Sequence, residues 1–329
     1  MILTRNPELN QSMNVQAMAQ SIVRAHQSTL ALPPDPQAQP LRGDANDLVF
    51  AAALLAAHRL GFVPADALCL AQAWSRQALR TGEFHPGQWP VEPVDFGLAP
   101  WPRHNAFAPC PASLGLYAVM PDAAWTIRMA RAGVPTVQLR FKSADATAVR
   151  AEVLATVAGV QGTGARLFIN DHWELAIEAG AYGVHLGQED LQAMTPAGLK
   201  SIRDAGLRLG LSTHGYAEML IADQHSPSYI AMGAVFPTTL KQMATAPQGT
   251  GRLAVYSALL RGYSRVAIGG IDKASLPAVL ASGVGSVGVV RALMSAADTQ
   301  AEVAAWNRAL AAPGGPANGG DCTPGSAAP

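Results

Sequence analysis

Residues 168–191 read FINDHWELAIEAGAYGVHLGQEDL, two short apolar runs on either side of a helical stretch. Phe168-Ile169 closes on Asn170-Asp171, and Val184-His185-Leu186 closes on Gly187-Gln188-Glu189-Asp190. Brief apolar runs bounded by Gly, Asn and Asp read as buried strands, and the Ala, Leu and Ile spacing between them reads as a helix. Acidic residues follow each strand. A carboxylate there can cap the next helix, hold a metal ion, or do both.

The same alternation extends in both directions. Strand-like runs lie at residues 115–120, 136–140, 166–170, 183–186, 208–213, 229–233, 265–268 and 286–290, with helical spacing at 122–132, 147–162 and 276–282. Eight such units in roughly 200 residues fit a compact (β/α)8 barrel. The competing open, doubly wound sheet lacks its usual mark, since no Gly-x-Gly-x-x-Gly follows the first strand. The expected α/β organisation has three parts. Residues 1–112 form a mainly helical extension with a polar start, a Pro-rich stretch at 32–40 and helices near 48–60 and 65–79. Residues 113–312 form the barrel. Residues 313–329, nearly all Gly, Pro, Ala and Ser, form a disordered tail.

In the full sequence 23 Lys and Arg balance 23 Asp and Glu, which argues against nucleic acid or another extended polyanion as partner. The most apolar segment, 48–62, is broken by His58 and Arg59 and is too short to span a bilayer. The start lacks a basic region followed by an apolar core, so a secretory signal is not expected. Cys69, Cys110 and Cys322 form no Cys-x-x-Cys pair and are odd in number, which suits a reducing compartment. The expected location is cytoplasmic, with small molecules as partners. Self-association into a homo-oligomer is compatible with everything above.

Chemistry on a parallel barrel gathers at the C-terminal strand ends. Those ends carry Gln138, Arg140 and Lys142; Asn170 and Asp171; Asp190; Ser212 and His214; Thr238, Thr239 and Lys241; and Gly269-Gly270. Asp171 and Asp190 are hard oxygen donors on adjacent strands, a set suited to Mg2+ shared with substrate phosphates. Arg140 and Lys142 alternate around Phe141, so both can point one way and hold phosphate oxygens. Glycines after the seventh strand, and the turn after Val290, fit backbone binding of a phosphate. Glu189 reads as a solvated neighbour, His185 as a core or supporting residue, Trp173 as packing and Met243 as loop.

Together these segments resemble the thiamine-phosphate synthase family. The motifs are VQLRFK, FINDHWELAI, YGVHLGQEDL, LGLSTH, FPTTLKQMATAPQG, VAIGGI and VGVV, in the family's order over residues 115–305. The resemblance implies a TIM-barrel transferase of thiamine biosynthesis. Such an enzyme joins 4-amino-2-methyl-5-(diphosphooxymethyl)pyrimidine to thiazole phosphate and releases pyrophosphate, with Mg2+ as cofactor. It places Gln138, Arg140, Lys142, Asn170, Ser212 and Lys241 on the pyrimidine diphosphate, with Arg140, Lys142 and Lys241 catalytic. It places Asp171 and Asp190 on the metal, and Thr238, Thr239, Gly270 and Val290 on the thiazole phosphate.

The chain departs from the family pattern at Leu240, where a Thr is usual, and at Arg291, where a Ser is usual; Ser143 replaces an Asp. Arg291 is expected at the thiazole phosphate. Two other readings follow from the departures: a regulatory barrel that binds thiamine phosphates without turnover, and a thiazole tautomerase-like protein. Residues 41–81 resemble the C-terminal end of the hydroxymethylpyrimidine-phosphate kinase, with Asp47 near its catalytic position. Asn46 stands where that family has a glycine, and too few residues precede it to build a nucleotide-binding sheet. The extension is therefore expected to be a helical, ribokinase-like remnant with no part in the chemistry.

Overall fold

The computed structural model of the chain describes residues 7–33, 47–238 and 246–311. Eight strands form a closed parallel barrel: β1 (Gly115–Met120), β2 (Thr136–Leu139), β3 (Arg166–Asn170), β4 (Gly183–Leu186), β5 (Arg208–Thr213), β6 (Tyr229–Met232), β7 (Ser264–Ala267) and β8 (Ser286–Val289). Each strand pairs with its neighbours in chain order and β8 returns to β1, as the (β/α)8 reading expects. Three of the intervening helices start where a side chain accepts their first amide protons. Asp122 accepts from Trp125 N at 2.8 Å, Asp145 from Thr147 N at 2.8 Å, and Thr195 from Gly198 N at 3.0 Å.

Register sets the barrel's interior. Gln138 pairs with Phe168, Asn170 with His185, Gly210 with Tyr229 and Ser212 with Ala231, so these residues share one side of the sheet. Tyr117, Phe168, Tyr229, Ala231 and Val266 form a separate inner cluster with Leu114. Gly210 makes room for it: a Cβ there would lie 2.1 Å from Tyr229 Cζ.

The extension holds α1 (Pro7–Leu30), α2 (Leu48–Arg59), α3 (Pro64–Thr81) and the short α4 (Pro93–Phe96). The sequence reading had only a polar start where α1 forms. Its apolar stripe is narrow: Ala19 and Ile22 are buried, and Val15, Met18 and Val23 lean on the same core. That core is continuous with the barrel's outer layer, because Ile22, Leu54, Leu70 and Trp74 belong to one cluster with Tyr216, Met219 and Tyr256. Phe96 stacks on Tyr216 with ring centroids 5.0 Å apart, and Trp89 Nε1 donates to the Tyr216 hydroxyl at 2.9 Å.

A connecting segment then closes the N-terminal end of the barrel. Phe107 N donates to Ser226 O at 3.1 Å, Ser228 Oγ to Ala108 O at 2.6 Å, and Ser264 Oγ to Pro111 O at 2.5 Å. A buried Arg103–Asp223 ion pair at 2.6 Å, with Tyr263 donating to the same carboxylate at 2.8 Å, pins its start. One mouth of the barrel is thereby covered and the other left for chemistry. The Pro-rich residues 34–40 and the tail, 313–329, lie outside the described residues. Among the described residues no helix is long and apolar enough to cross a membrane.

Candidate active site

The residues singled out at the ends of β2 to β5 converge on the open mouth. Gln138 and Asn170, on neighbouring strands, are buried, and Gln138 Nε2 donates to Asn170 Oδ1 at 2.7 Å. Arg140 follows β2, half-buried, its backbone N–H held by Met120 O at 2.8 Å. Phe141 packs on the core and Lys142 emerges beyond it. The Lys142 ammonium pairs with the carboxylate of Asp171, joining the β2 and β3 ends.

Asp171 has a left-handed backbone, φ 64°. For a residue with a Cβ this conformation is uncommon and costs on the order of 1 kcal/mol. It is held by Asp171 N donating to His185 O at 3.0 Å and by Trp173 N donating to Asp171 O at 2.8 Å. The following helix, Trp173–Ala179, has His172 at its N-cap and no side-chain cap. The Asp171 carboxylate is thus turned towards Lys142 and Asp190 instead of capping the helix. Burial first, then the facing Asp171 carboxylate, push the Asp190 carboxyl above the usual range, while Lys142 and the Gly187 N–H pull it down. Two carboxylates within hydrogen-bonding reach favour a shared proton or a shared cation. Among the described residues no cluster of three or more His, Cys, Asp and Glu is placed to hold a metal. An ion here would take two protein carboxylates and fill its other positions from substrate and water.

Beneath this pair runs a buried polar chain. Tyr117 and Tyr229 hydroxyls are 2.6 Å apart, Tyr229 OH is 2.7 Å from His185 Nδ1, and His185 Nε2 is 2.8 Å from Ser212 Oγ. Gln188 Nε2 donates to Ser212 O at 2.6 Å. Ser212 is therefore held at both its hydroxyl and its carbonyl.

The ends of β6 to β8 form the other half of the mouth. Gly269 and Gly270 have φ 94° and 67°, and a Cβ on Gly270 would lie 2.6 Å from Pro237 O. Only glycine permits this approach, which brings the β7 turn against the segment carrying Thr238. Val235 N donates to Ile268 O at 2.9 Å and Phe236 N to Gly269 O at 3.0 Å. Val290 precedes the four-residue helix Arg291–Met294, and Arg291 is exposed at its start. Thr239, Leu240, Lys241 and Met243 lie outside the described residues.

The family model described as thiamine monophosphate synthase matches residues 116–293, the barrel from its first strand to the helix after its last. The chain belongs to the thiamine monophosphate synthase family. It is 54% identical over 200 residues to the thiamine-phosphate synthase of Neisseria meningitidis serogroup A, covering 61% of this chain and 96% of that one. It is also 54% identical over 192 residues to an Escherichia coli O1:K1 thiamine-phosphate synthase, covering 58% of this chain and 90% of the relative. The solved thiamine phosphate pyrophosphorylase from Pyrococcus furiosus matches with a TM-score of 0.51 at 25% identity. That match covers 60% of this chain and 96% of the other. As a thiamine-phosphate synthase the chain is a transferase of thiamine biosynthesis. The extension lies before the family match.

In this thiamine-phosphate synthase, sequence reasoning passed over three groups at the site. Tyr117 and Tyr229 go unnamed within their strand-like runs, and Gln188 stands among the polar residues that close the fourth strand without a role of its own. Their inward parity with Gln138 and Asn170 was the available signal for the tyrosines. His185 does take the supporting position expected of it.

Proposed function

We propose that the mouth of the barrel binds the aminopyrimidine diphosphate on the β2–β5 side and the thiazole phosphate on the β6–β8 side, and joins them. The observation that carries this reading is the meeting of Lys142, Asp171 and Asp190 at three adjacent strand ends. Cation and carboxylates side by side suit a diphosphate together with a divalent ion. We assign Mg2+ to Asp171 and Asp190, whose hard oxygens fit it. When bound, the ion supplies positive charge that stabilises the departing pyrophosphate.

The chain's own residues do the rest. With one Nε2 proton of Gln138 given to Asn170 Oδ1, Gln138 Oε1 is left as an acceptor and Asn170 Nδ2 as a donor for a substrate. Those two groups match an aminopyrimidine edge. Arg140 and Lys142 hold diphosphate oxygens and follow the charge as it grows on the leaving group. Ser212, fixed by His185 and Gln188, adds a hydroxyl. Lys241 is assigned to the same diphosphate. On the other side Thr238, Thr239, Gly270, Val290 and Arg291 hold the thiazole phosphate, so the thiazole nitrogen faces the pyrimidine CH2. The C–O bond to the diphosphate breaks and the C–N bond forms between the same two bound molecules. No protein nucleophile is needed, and positioning supplies much of the acceleration. Reduced Cys69 and Cys110 and small soluble substrates suit the cytoplasm.

Purified chain mixed with both substrates and Mg2+ is expected to release one pyrophosphate per thiamine phosphate formed. Tight binding of both substrates with no pyrophosphate would favour the regulatory barrel. Isomerisation of a thiazole carboxylate phosphate alone would favour the tautomerase-like reading.

A further inference from the structure

The helix Tyr216–Gln224 follows β5, which carries Ser212 next to its last residue, across the turn 214–215. Its N-cap residue is Gly215, with no side chain to accept its first amide protons. The acceptor comes from elsewhere: Asp66 Oδ1, on α3, takes the proton of Ala217 N at 2.9 Å across 151 residues. A further backbone hydrogen bond comes from Tyr216. Gly215 and Asp66 are fitted to each other, since a Cβ on Gly215 would lie 2.0 Å from Asp66 Oδ2. Its backbone is fully extended, φ −177°, so close approach and not conformation calls for glycine.

A second anchor ties the extension to the segment that returns from β6. The Arg252 guanidinium is buried, donates to Leu30 O at 3.0 Å and Leu60 O at 2.7 Å, and lies 3.6 Å over the Phe62 ring. It also donates to Gln248 Oε1 at 3.2 Å, while Gln248 Nε2 holds Ala246 O at 2.7 Å. A Cβ on Gly251 would meet Thr29 O at 1.9 Å.

We propose that the N-terminal extension positions the pyrimidine-diphosphate half of the site, with Asp66 acting as a helix cap supplied from outside the barrel that holds the turn after Ser212 and so the end of β5. This rests on the reading of Ser212 as a diphosphate contact. Ser212 itself is held by His185 and Gln188, and the turn after it by the capped helix start. Loss of the cap leaves the N–H groups of Tyr216 and Ala217 without their acceptor and lets the turn shift. The sequence alone gave the extension no part in the chemistry; this contact gives it a part in substrate binding. Asp66 is a positioning residue and touches no substrate.

The test compares Michaelis constants for the two substrates in the full-length chain. Asp66→Ala is expected to raise the constant for the pyrimidine diphosphate about fivefold or more, leaving that for thiazole phosphate within about twofold. Asp66→Asn, which keeps an acceptor oxygen, is expected to stay near the unaltered protein. Adding Gly215→Ser to Asp66→Ala supplies a local cap in the vacated space and is expected to restore the constant. If Asp66→Ala is not recovered folded, the double variant carries the test alone. A folded double variant with a normal pyrimidine constant supports the proposal, and one with a raised constant overturns it. A folded Asp66→Ala protein with both constants unchanged, or both raised alike, also overturns it. Ser212→Ala distinguishes the underlying reading: if it leaves the pyrimidine constant unchanged, the assignment of Ser212 fails instead.

Discussion

His185 stands between Tyr229 and Ser212, 2.7 Å from the phenol oxygen on one ring nitrogen and 2.8 Å from the serine oxygen on the other. A barrel-core contact thereby fixes the direction of a hydroxyl at the mouth. Tyr229→Phe removes the support while keeping the ring. The expected result is a pyrimidine-diphosphate Michaelis constant raised about threefold to tenfold, with stability lowered by about 1–2 kcal/mol for the buried hydroxyl partners left behind. Steady-state kinetics and thermal unfolding check both. An unchanged constant in a destabilised protein would make the chain of hydroxyls structural only.

The carboxyl of Asp66 is pushed up to about 6, first by burial and then against the pull of Ala217 N–H and Arg252, with Glu218 adding a smaller push upwards. An acid whose folded value exceeds its unfolded one binds its proton more tightly when folded. Its contribution to stability is therefore full below about pH 4 and is lost as pH rises through about 6, a change of about 3 kcal/mol. Asp66→Asn does not titrate. The variant is expected to match the unaltered protein near pH 4.5 and exceed it at pH 8, as followed by denaturant unfolding. A constant difference across that range would contradict the burial argument.

Arg291 opens the helix after β8, where the family usually has Ser. Arg291→Ser is expected to raise the Michaelis constant for thiazole phosphate about tenfold and to leave that for the pyrimidine diphosphate unchanged, because an arginine adds charge-assisted hydrogen bonds to a phosphate. A lower constant for thiazole phosphate would show that the guanidinium obstructs the site.

The barrel was legible because each strand is a short apolar run closed by polar or glycine residues, and the period-two and helical patterns alternate without a break. Candidate site residues at strand ends could be named for the same reason: Asp171 and Asp190 stand where a strand stops. Of the two readings the sequence left open for Asp171, the backbone removes the cap, since a left-handed φ turns its carboxylate away from the helix start. Helix α1 escaped because its buried stripe is thin. The Asp66–Ala217 contact escaped because it joins segments 151 residues apart, and no local pattern marks Asp66 as a cap.

Asp47, near the kinase-like position, accepts from Phe50 N at 2.8 Å and from Ser75 Oγ at 2.5 Å. It serves as the cap of α2. The full-length chain is accordingly expected to phosphorylate no hydroxymethylpyrimidine species; ATP-dependent phosphorylation that vanishes in Asp47→Ala would contradict this. A shortened chain beginning at Ala112 strips the Leu30 and Leu60 carbonyls from Arg252 and Ile22, Leu54 and Trp74 from the shared core, which uncovers the apolar face they pack on. It is expected to be poorly soluble, as light scattering would show.

The pairing of Asp171 with Asp190 around a divalent ion is tested most directly by the rate of pyrophosphate release as Mg2+ is titrated. The unaltered chain is expected to be inactive with chelator and to saturate with Mg2+. Asp171→Asn should release pyrophosphate about a hundredfold or more slowly at every Mg2+ concentration, with a thermal midpoint close to the unaltered one. An Asp171→Asn protein that matches the unaltered rate throughout the titration would contradict the assignment.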